Sequence, residues 1–321
     1  MYGDESVHSY IHYIINTTRK HNKDNISRTK AYLSFYLENP EIKWAFLASM
    51  VSRNAGWNMT DLHLQPFKKM LGEEERNQLF MTYERANWLI FSDAFPQLLV
   101  YKLSKELKTP LFHLLKKFHV SVFMENEWKL FWKKREQDKL MTALIINEQN
   151  VIQGPVVKQA YFQYHVFNRL PYMMQNFLRM NAVLFPTKSN HLYGAYVQGF
   201  TNVSKRIALG VRLANILYSP NVYDKSLNFA ITQEHTGSRK DFEPFLSLHY
   251  PYSPMLRGLY PVIKHQDNIR KDWWKTGGFR NRWWGQPKQI SLEDMKTAYY
   301  RKRDMLFAYY YIKNAISPAG D

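Results

Sequence analysis

Residues 39–62 read NPEIKWAFLASMVSRNAGWNMTDL, and the fold class turns on them. Asn39, Pro40 and Glu41 stand in the order of a helix start: a capping side chain, a first-turn proline and a first-turn acid. Trp44, Leu47, Ala48, Val51 and Ala55 then recur at three- and four-residue spacing, which lays them on one helical face. Gly56 stands where a left-handed C-terminal cap belongs, so the helix is expected to close there. Arg53 and Asn54 then fall in its last turn, where a cation suits the negative end of the helix dipole and a carboxamide donates to free carbonyls. Asn58, Thr60 and Asp61 are expected in the turn beyond, bonding nearby backbone. A second reading stays open: Arg53 and Asn54 grip an anion, and Asp61 serves a polar pocket as acid, base or orienting group.

The same punctuation recurs on both sides. Asn25 is expected to cap a helix over Ile26–Glu38. Gly72 followed by EEER opens a long helix through NQLFMTYERANWLIFSDAF, which Pro96 should kink or restart. Thr109-Pro110 opens LFHLLKKF, and ENEWKLFWKKRE and KLMTALIINEQN follow, stopped near Gly154-Pro155. VVKQAYFQYHVF, PYMMQNFLRM, HLYGAYVQGF, NVSKRIALGVRLANILY and VYDKSLNFAI read as further helices. Ser291 with Asp294 resembles a capping box ahead of a C-terminal helix over about 292–315. Strict period-2 alternation between turn pairs is missing, so no strand is expected. The expectation is an all-α fold: one multi-helix domain over 1–321 with ten or more helices and an irregular, Trp- and Gly-rich basic segment at about 233–290.

Composition supports a large core, with 45% hydrophobic and 22% charged residues. Aromatics reach 16%, so many Tyr and Trp must be buried, and each then needs a partner for its polar atom. With no cysteine, disulfides, thiolate nucleophiles and Cys-ligated metal sites are excluded. No apolar run approaches the roughly 18 residues of a membrane span, and the N-terminus lacks a signal-peptide core, so a cytoplasmic location is expected. The net charge of +17 points to a polyanion or an anionic surface as partner.

Phosphate-loop, dinucleotide, zinc-protease and nucleophile-elbow motifs are missing, so chemistry must be sought in weaker clusters. In ERANWLIFSDAF, Glu84 and Asn87 share a face, while Asp93 points elsewhere unless Pro96 bends the helix. The apolar surroundings imply that at least one charge of the Glu84 and Arg85 pair is buried and needs a partner, which Arg53 or Arg85 could supply. Glu148 ends the apolar helix at INEQN; as a catalytic carboxylate it needs an apolar pocket to raise its pKa. In EHTGSRKDF, Gly237 frees backbone amides while Thr236, Ser238 and Arg239 add donors for a phosphate or carboxylate, and His235 titrates near neutrality. The alternative is a self-capped loop. His8 and His12 have the spacing of a metal pair but lack further ligands, so neither metal nor cofactor is expected. In RKDWWKTGGFRNRWWGQPK, Trp273, Trp274, Trp283 and Trp284 interleave with Arg270, Lys271, Lys275, Arg280, Arg282 and Lys288. That suits single-stranded nucleic acid, or else Trp residues that anchor an irregular segment to the core.

These stretches carry a resemblance. NKDNISRTKAYLSFYLENPEIKWAFLASMVSRNAGWNMTDL, ERANWLIFSDAFPQLL, PLFHLL, ALIINEQN and HTGSRKDF resemble, in this order, the YppC-like family of Bacillus-type bacteria, a domain of unknown function. The resemblance spans about residues 15–250. The family form has a second Gly at Ala55 and a Lys-Gly-like pair where this chain has HLQPF. It implies a soluble bacterial protein and no particular reaction.

Two functions remain in view. The first is binding of a polyanion, nucleic acid foremost, through the basic Trp-rich surface. The second is an enzyme acting on a phosphate- or carboxylate-bearing substrate, which requires the four polar motifs to meet at one pocket. Peripheral binding to an anionic membrane surface stands third.

Overall fold

A computed structural model describes residues 2–159, 182–248, 250–266, 270–275, 278–285 and 292–316. The helices are α1 (Tyr2–His21), α2 (Asn25–Glu38), α3 (Lys43–Asp61), α4 (Gln65–Met70), α5 (Glu73–Glu106), α6 (Val122–Lys134), α7 (Gln137–Val151), α8 (Val203–Leu217), α9 (Tyr223–Thr232), α10 (Leu256–Leu259) and α11 (Lys296–Ile316). PLFHLLKKF forms a 3₁₀ turn over Phe112–Phe118. The helix expected at VVKQAYFQYHVF lies mostly, and that at PYMMQNFLRM wholly, outside the described residues. So do Ser291 and Lys288.

The fold is largely helical but not all-α. Ala182–Pro186 (β1) and Leu192–Tyr196 (β2) pair antiparallel, with Leu184 opposite Gly194. HLYGAYVQGF is therefore a strand at its start, not a helix. The turn between the strands places Asn190 in the left-handed region, and Thr187 Oγ1 accepts from His191 N at 3.2 Å. Gly194 has φ +145°, and a side chain there would collide with the Val183 carbonyl. The outer edge of β1 is closed by Asn54. Its carboxamide accepts from Leu184 N at 2.7 Å and donates to Leu184 O at 2.8 Å, standing in for a third strand.

Three helix boundaries correct the sequence reading. Asp24, not Asn25, caps α2, accepting from Ser27 N at 2.7 Å. The opening stretch starts its helix at Lys43 and does not stop at Gly56, but runs on to Asp61. Gly56 is required by neighbours distant in sequence, since a Cβ there would lie 2.6 Å from Asn25 Oδ1 and 2.8 Å from His235 Nε2. Finally, α5 passes through Pro96 without restarting. Proline has no N–H to donate to Ser92 O, four residues back. Arg270 Nη2 donates to that carbonyl instead, at 3.4 Å.

One apolar cluster extends from Ile14 to Tyr300, with Trp44, Trp57 and Trp128 wholly inside. Small polar residues let α2 and α3 approach closely: Thr29 Oγ1 donates to Ser52 Oγ at 2.7 Å and Ser49 Oγ to Thr29 O at 3.1 Å. The partners that buried indoles require are all side chains. Trp44 donates to Glu148, Trp57 to Asp241, Trp128 to Gln97, Trp273 to Asn147 and Trp283 to Ser204.

Candidate functional site

The polar motifs gather into separate clusters. RNAGWNMTD and HTGSRKDF meet each other across α3. Trp57 Nε1 donates to Asp241 Oδ2 at 3.0 Å, and Thr60 Oγ1 to Gly237 O at 2.6 Å. Asp61 Oδ2 accepts from Arg239 Nε at 2.7 Å and from Arg303 Nη1 of α11 at 3.3 Å. Tyr300 donates to Glu243 Oε1 at 3.0 Å, and Arg303 Nη2 lies 4.0 Å from the same oxygen. Burial would lower the Arg303 pKa, but the charges of Asp61 and its neighbours outweigh it and raise it. Asp61 Oδ1, Glu243 Oε2, Arg239 Nη1 and Arg303 Nε are buried without partners among the described residues.

The HTGSR loop consumes its own donors. Thr236 N donates to Asp241 Oδ2, Ser238 N to Thr236 Oγ1, and Arg239 N to Ser253 Oγ. Ser238 Oγ is engaged with Ser253 O, and Thr236 Oγ1 with Asp241 Oδ1. These amides do not form an anion cradle, and the self-capped reading describes the loop. His235 is sealed between Asp241 and Asn25, with Nδ1 3.2 Å and Nε2 3.0 Å from their oxygens. Burial, only partly offset by Asp241, lowers its pKa.

Arg53 meets none of the carboxylates offered to it. Its Nη2 donates to Ala230 O at 2.8 Å and Gln233 O at 3.0 Å, capping the C-terminus of α9. A helix end supplies only partial charge, and burial lowers the guanidinium pKa to about 10.

Glu84 is buried and paired, but with Arg28 of α2 in place of Arg53 or Arg85. Arg28 Nη1 donates to Glu84 Oε2 at 3.0 Å and Nη2 binds Oε1, while His265 Nε2 lies 3.3 Å from Oε1. Burial pushes the carboxyl pKa up, but His265 and Arg28 outweigh it and hold it below the ordinary value. Arg85 faces the other way, over the Trp88 ring and donating to Gln266 O at 3.1 Å.

The Trp-rich segment is anchored to the core. Trp273, Trp274, Phe279 and Trp284 surround Phe123, with ring centroids 5.3–6.0 Å from it. Trp283 is buried, and Asp272 accepts from Val122 N at the start of α6 at 3.1 Å. The rings therefore face inward, while Lys271, Lys275, Arg280 and Arg282 face solvent.

What the structure does build from several motifs is a cleft of about 910 Å³ between α5, the end of α7 and residues 263–266, 270–273 and 278–283. Arg85, Lys158, Lys264, Arg270, Lys271 and Arg280 line it, against Asp93 and Asp272. Asp93 lies in its wall: Oδ2 accepts from Asn147 Nδ2 at 2.6 Å and Gln97 Nε2 at 2.7 Å, and Arg270 Nη2 is 4.0 Å from Oδ1. Burial raises the Asp93 pKa, against the pull of Arg270. The cleft-facing role of Asp93 has no local signal, because it depends on Asn147 and Arg270, far along the chain.

Glu148 lies apart from the cleft. It accepts from Trp44 Nε1 at 3.1 Å and Gln149 Nε2 at 2.9 Å, with no cation bonded to it among the described residues. Burial raises its pKa from 4.5 to about 7. The folded state thus holds this proton more tightly than the unfolded chain, and stability falls as pH rises from 4.5 to about 7. Glu148→Gln should remove on the order of 2 kcal/mol of that fall. Urea unfolding of both proteins across this window checks it, and parallel pH profiles would reject it.

His8 and His12 approach to 3.0 Å on the exposed face of α1. Among the described residues no group of three or more His, Asp or Glu is placed to hold a metal. No described helix is long and apolar enough to cross a membrane.

Fold and site together define a largely helical protein with a basic cleft among the described residues. Residues 20–301 match the family described as Protein of unknown function (DUF2515), and the chain belongs to that family. It is 46% identical over 296 residues to "Uncharacterized protein YppC" of Bacillus subtilis (strain 168), covering 91% of this chain and 92% of that one. No solved structure matches it.

Proposed function

We propose that the protein binds a polyanion, nucleic acid foremost, in the basic cleft. The observation that carries this is the lining: six Lys and Arg side chains against two carboxylates, in a chain with net charge +17. Trp273 and Trp283 also line the cleft, but Trp273 packs on Phe123 and Trp283 is buried, so the reading rests on cations and not on a stacking platform. The enzymatic alternative has less support, because Asp61 and Glu84 face guanidinium groups in closed packing.

Phosphate neutralisation makes such binding steeply salt-dependent. Anisotropy of labelled single- and double-stranded oligonucleotides should show affinity falling log-linearly with salt. Lys271→Ala with Arg280→Ala should flatten that slope by about two. No binding at about 50 mM salt would overturn the proposal.

A further inference from the structure

The wall of the cleft holds a carboxylate whose orientation is fixed on one side and open on the other. An indole N–H only donates. Trp128 Nε1 donates to Gln97 Oε1 at 2.9 Å, so the Gln97 amide must turn its NH₂ toward Asp93. Trp273 Nε1 donates to Asn147 Oδ1 at 2.8 Å, so Asn147 must do the same. Both NH₂ groups converge on Asp93 Oδ2. The other oxygen, Oδ1, accepts no hydrogen bond from any described residue, and its nearest cation is Arg270 Nη2 at 4.0 Å. Buried Trp128 and half-buried Trp273 thereby leave one carboxylate oxygen, in a side chain 3% exposed, to a cleft lined with cations.

A carboxylate oxygen that opens on a cleft and takes no donor from the protein is placed to accept one from a ligand. The cations around it suit backbone phosphates. A donor that recurs beside every backbone phosphate, whatever the base, is the ribose 2′-hydroxyl. Base amines are a poorer match, since they change with the base while the 2′-hydroxyl does not. We propose that Asp93 Oδ1 accepts the 2′-hydroxyl of a bound strand, so that the cleft distinguishes RNA from DNA. This rests on the polyanion reading above.

The test compares a labelled single-stranded RNA with 2′-fluoro-RNA of the same sequence, which keeps an acceptor at that position but loses the donor. The wild type should bind RNA about tenfold tighter, the size of one hydrogen bond to a charged group. In Asp93→Asn the new carbonyl can take the Gln97 and Asn147 donors and turn NH₂ to the cleft. Its preference should fall to about one while its affinity for 2′-fluoro-RNA is kept. Equal wild-type affinity for the two strands overturns the inference without any variant and leaves the polyanion reading standing. A tenfold preference retained by a folded Asp93→Asn does the same. If neither strand binds at about 50 mM salt, the polyanion reading fails and this inference with it.

Discussion

Asp61→Ala should cost about 3–5 kcal/mol of stability, the range for breaking a buried ion pair from one side. The Asp61 carboxylate faces both Arg239 and Arg303, and all three side chains are nearly inaccessible. Without it, two guanidinium groups stay buried, and among the described residues the remaining carboxylate beside them is Glu243, 4.0 Å from Arg303. Burial already raises the Glu243 pKa, against the pull of Arg303 and Arg239, so it is a poor substitute counter-charge. The loss should appear as a lower urea midpoint with an unchanged slope. Asp61→Leu combined with Arg239→Met should lose less than Asp61→Ala alone, because it removes charge from both sides. A catalytic Asp61 predicts the reverse: near-normal stability of Asp61→Ala and loss of activity. A midpoint shift worth under about 1 kcal/mol would reject the structural role.

Local grammar was readable where the partner is near in sequence. Gly72 N donates to Glu75 Oε2 at 3.0 Å at the start of α5, and Asn202 caps α8 as a helix-opening residue should. The demand of the aromatic composition for indole acceptors was also readable, although not which acceptors. Glu84 and Asp93, nine residues apart on α5, do face different clusters. Gly56 shows the limit. Its type suits a helix end, but its cause is contact with Asn25 and His235, and no local rule reports that. The hairpin was missed for a similar reason: β1 and β2 are short, and their edge is completed by Asn54 from a helix. The signal available was Lys188-Ser189-Asn190 between two apolar, aromatic runs, a turn composition. Membership of the polar clusters depended on long-range pairs such as Arg28–Glu84 and Asn147–Asp93, which spacing along one helix does not encode.

Glu84→Ala should be comparably severe, at about 3–5 kcal/mol. Arg28 and Glu84 are 1% and 5% exposed, and Arg28 holds the turn after α1 as well, through Nε to Asn22 Oδ1 at 2.6 Å. Asn22 in turn donates to Ser92 Oγ at 2.9 Å, so the loss spreads to the contact between α1 and α5. His265 also loses its acceptor, and it sits between Lys264 and Gln266 in the cleft wall. Oligonucleotide affinity should therefore fall with stability, although Glu84 itself repels phosphate. The pH dependence separates this pair from Glu148. The folded pKa of Glu84 is held down, so its contribution is present above the unfolded value of 4.5 and is lost as pH falls through the folded one. The gap between wild type and Glu84→Ala should be full at neutral pH and narrow in acid. Glu84→Gln should lose less at neutral pH, since one acceptor remains for Arg28. Urea midpoints from about pH 7 down to about pH 2 decide the point, and a gap that does not change with pH would show that the ionised pair is not what Glu84 contributes.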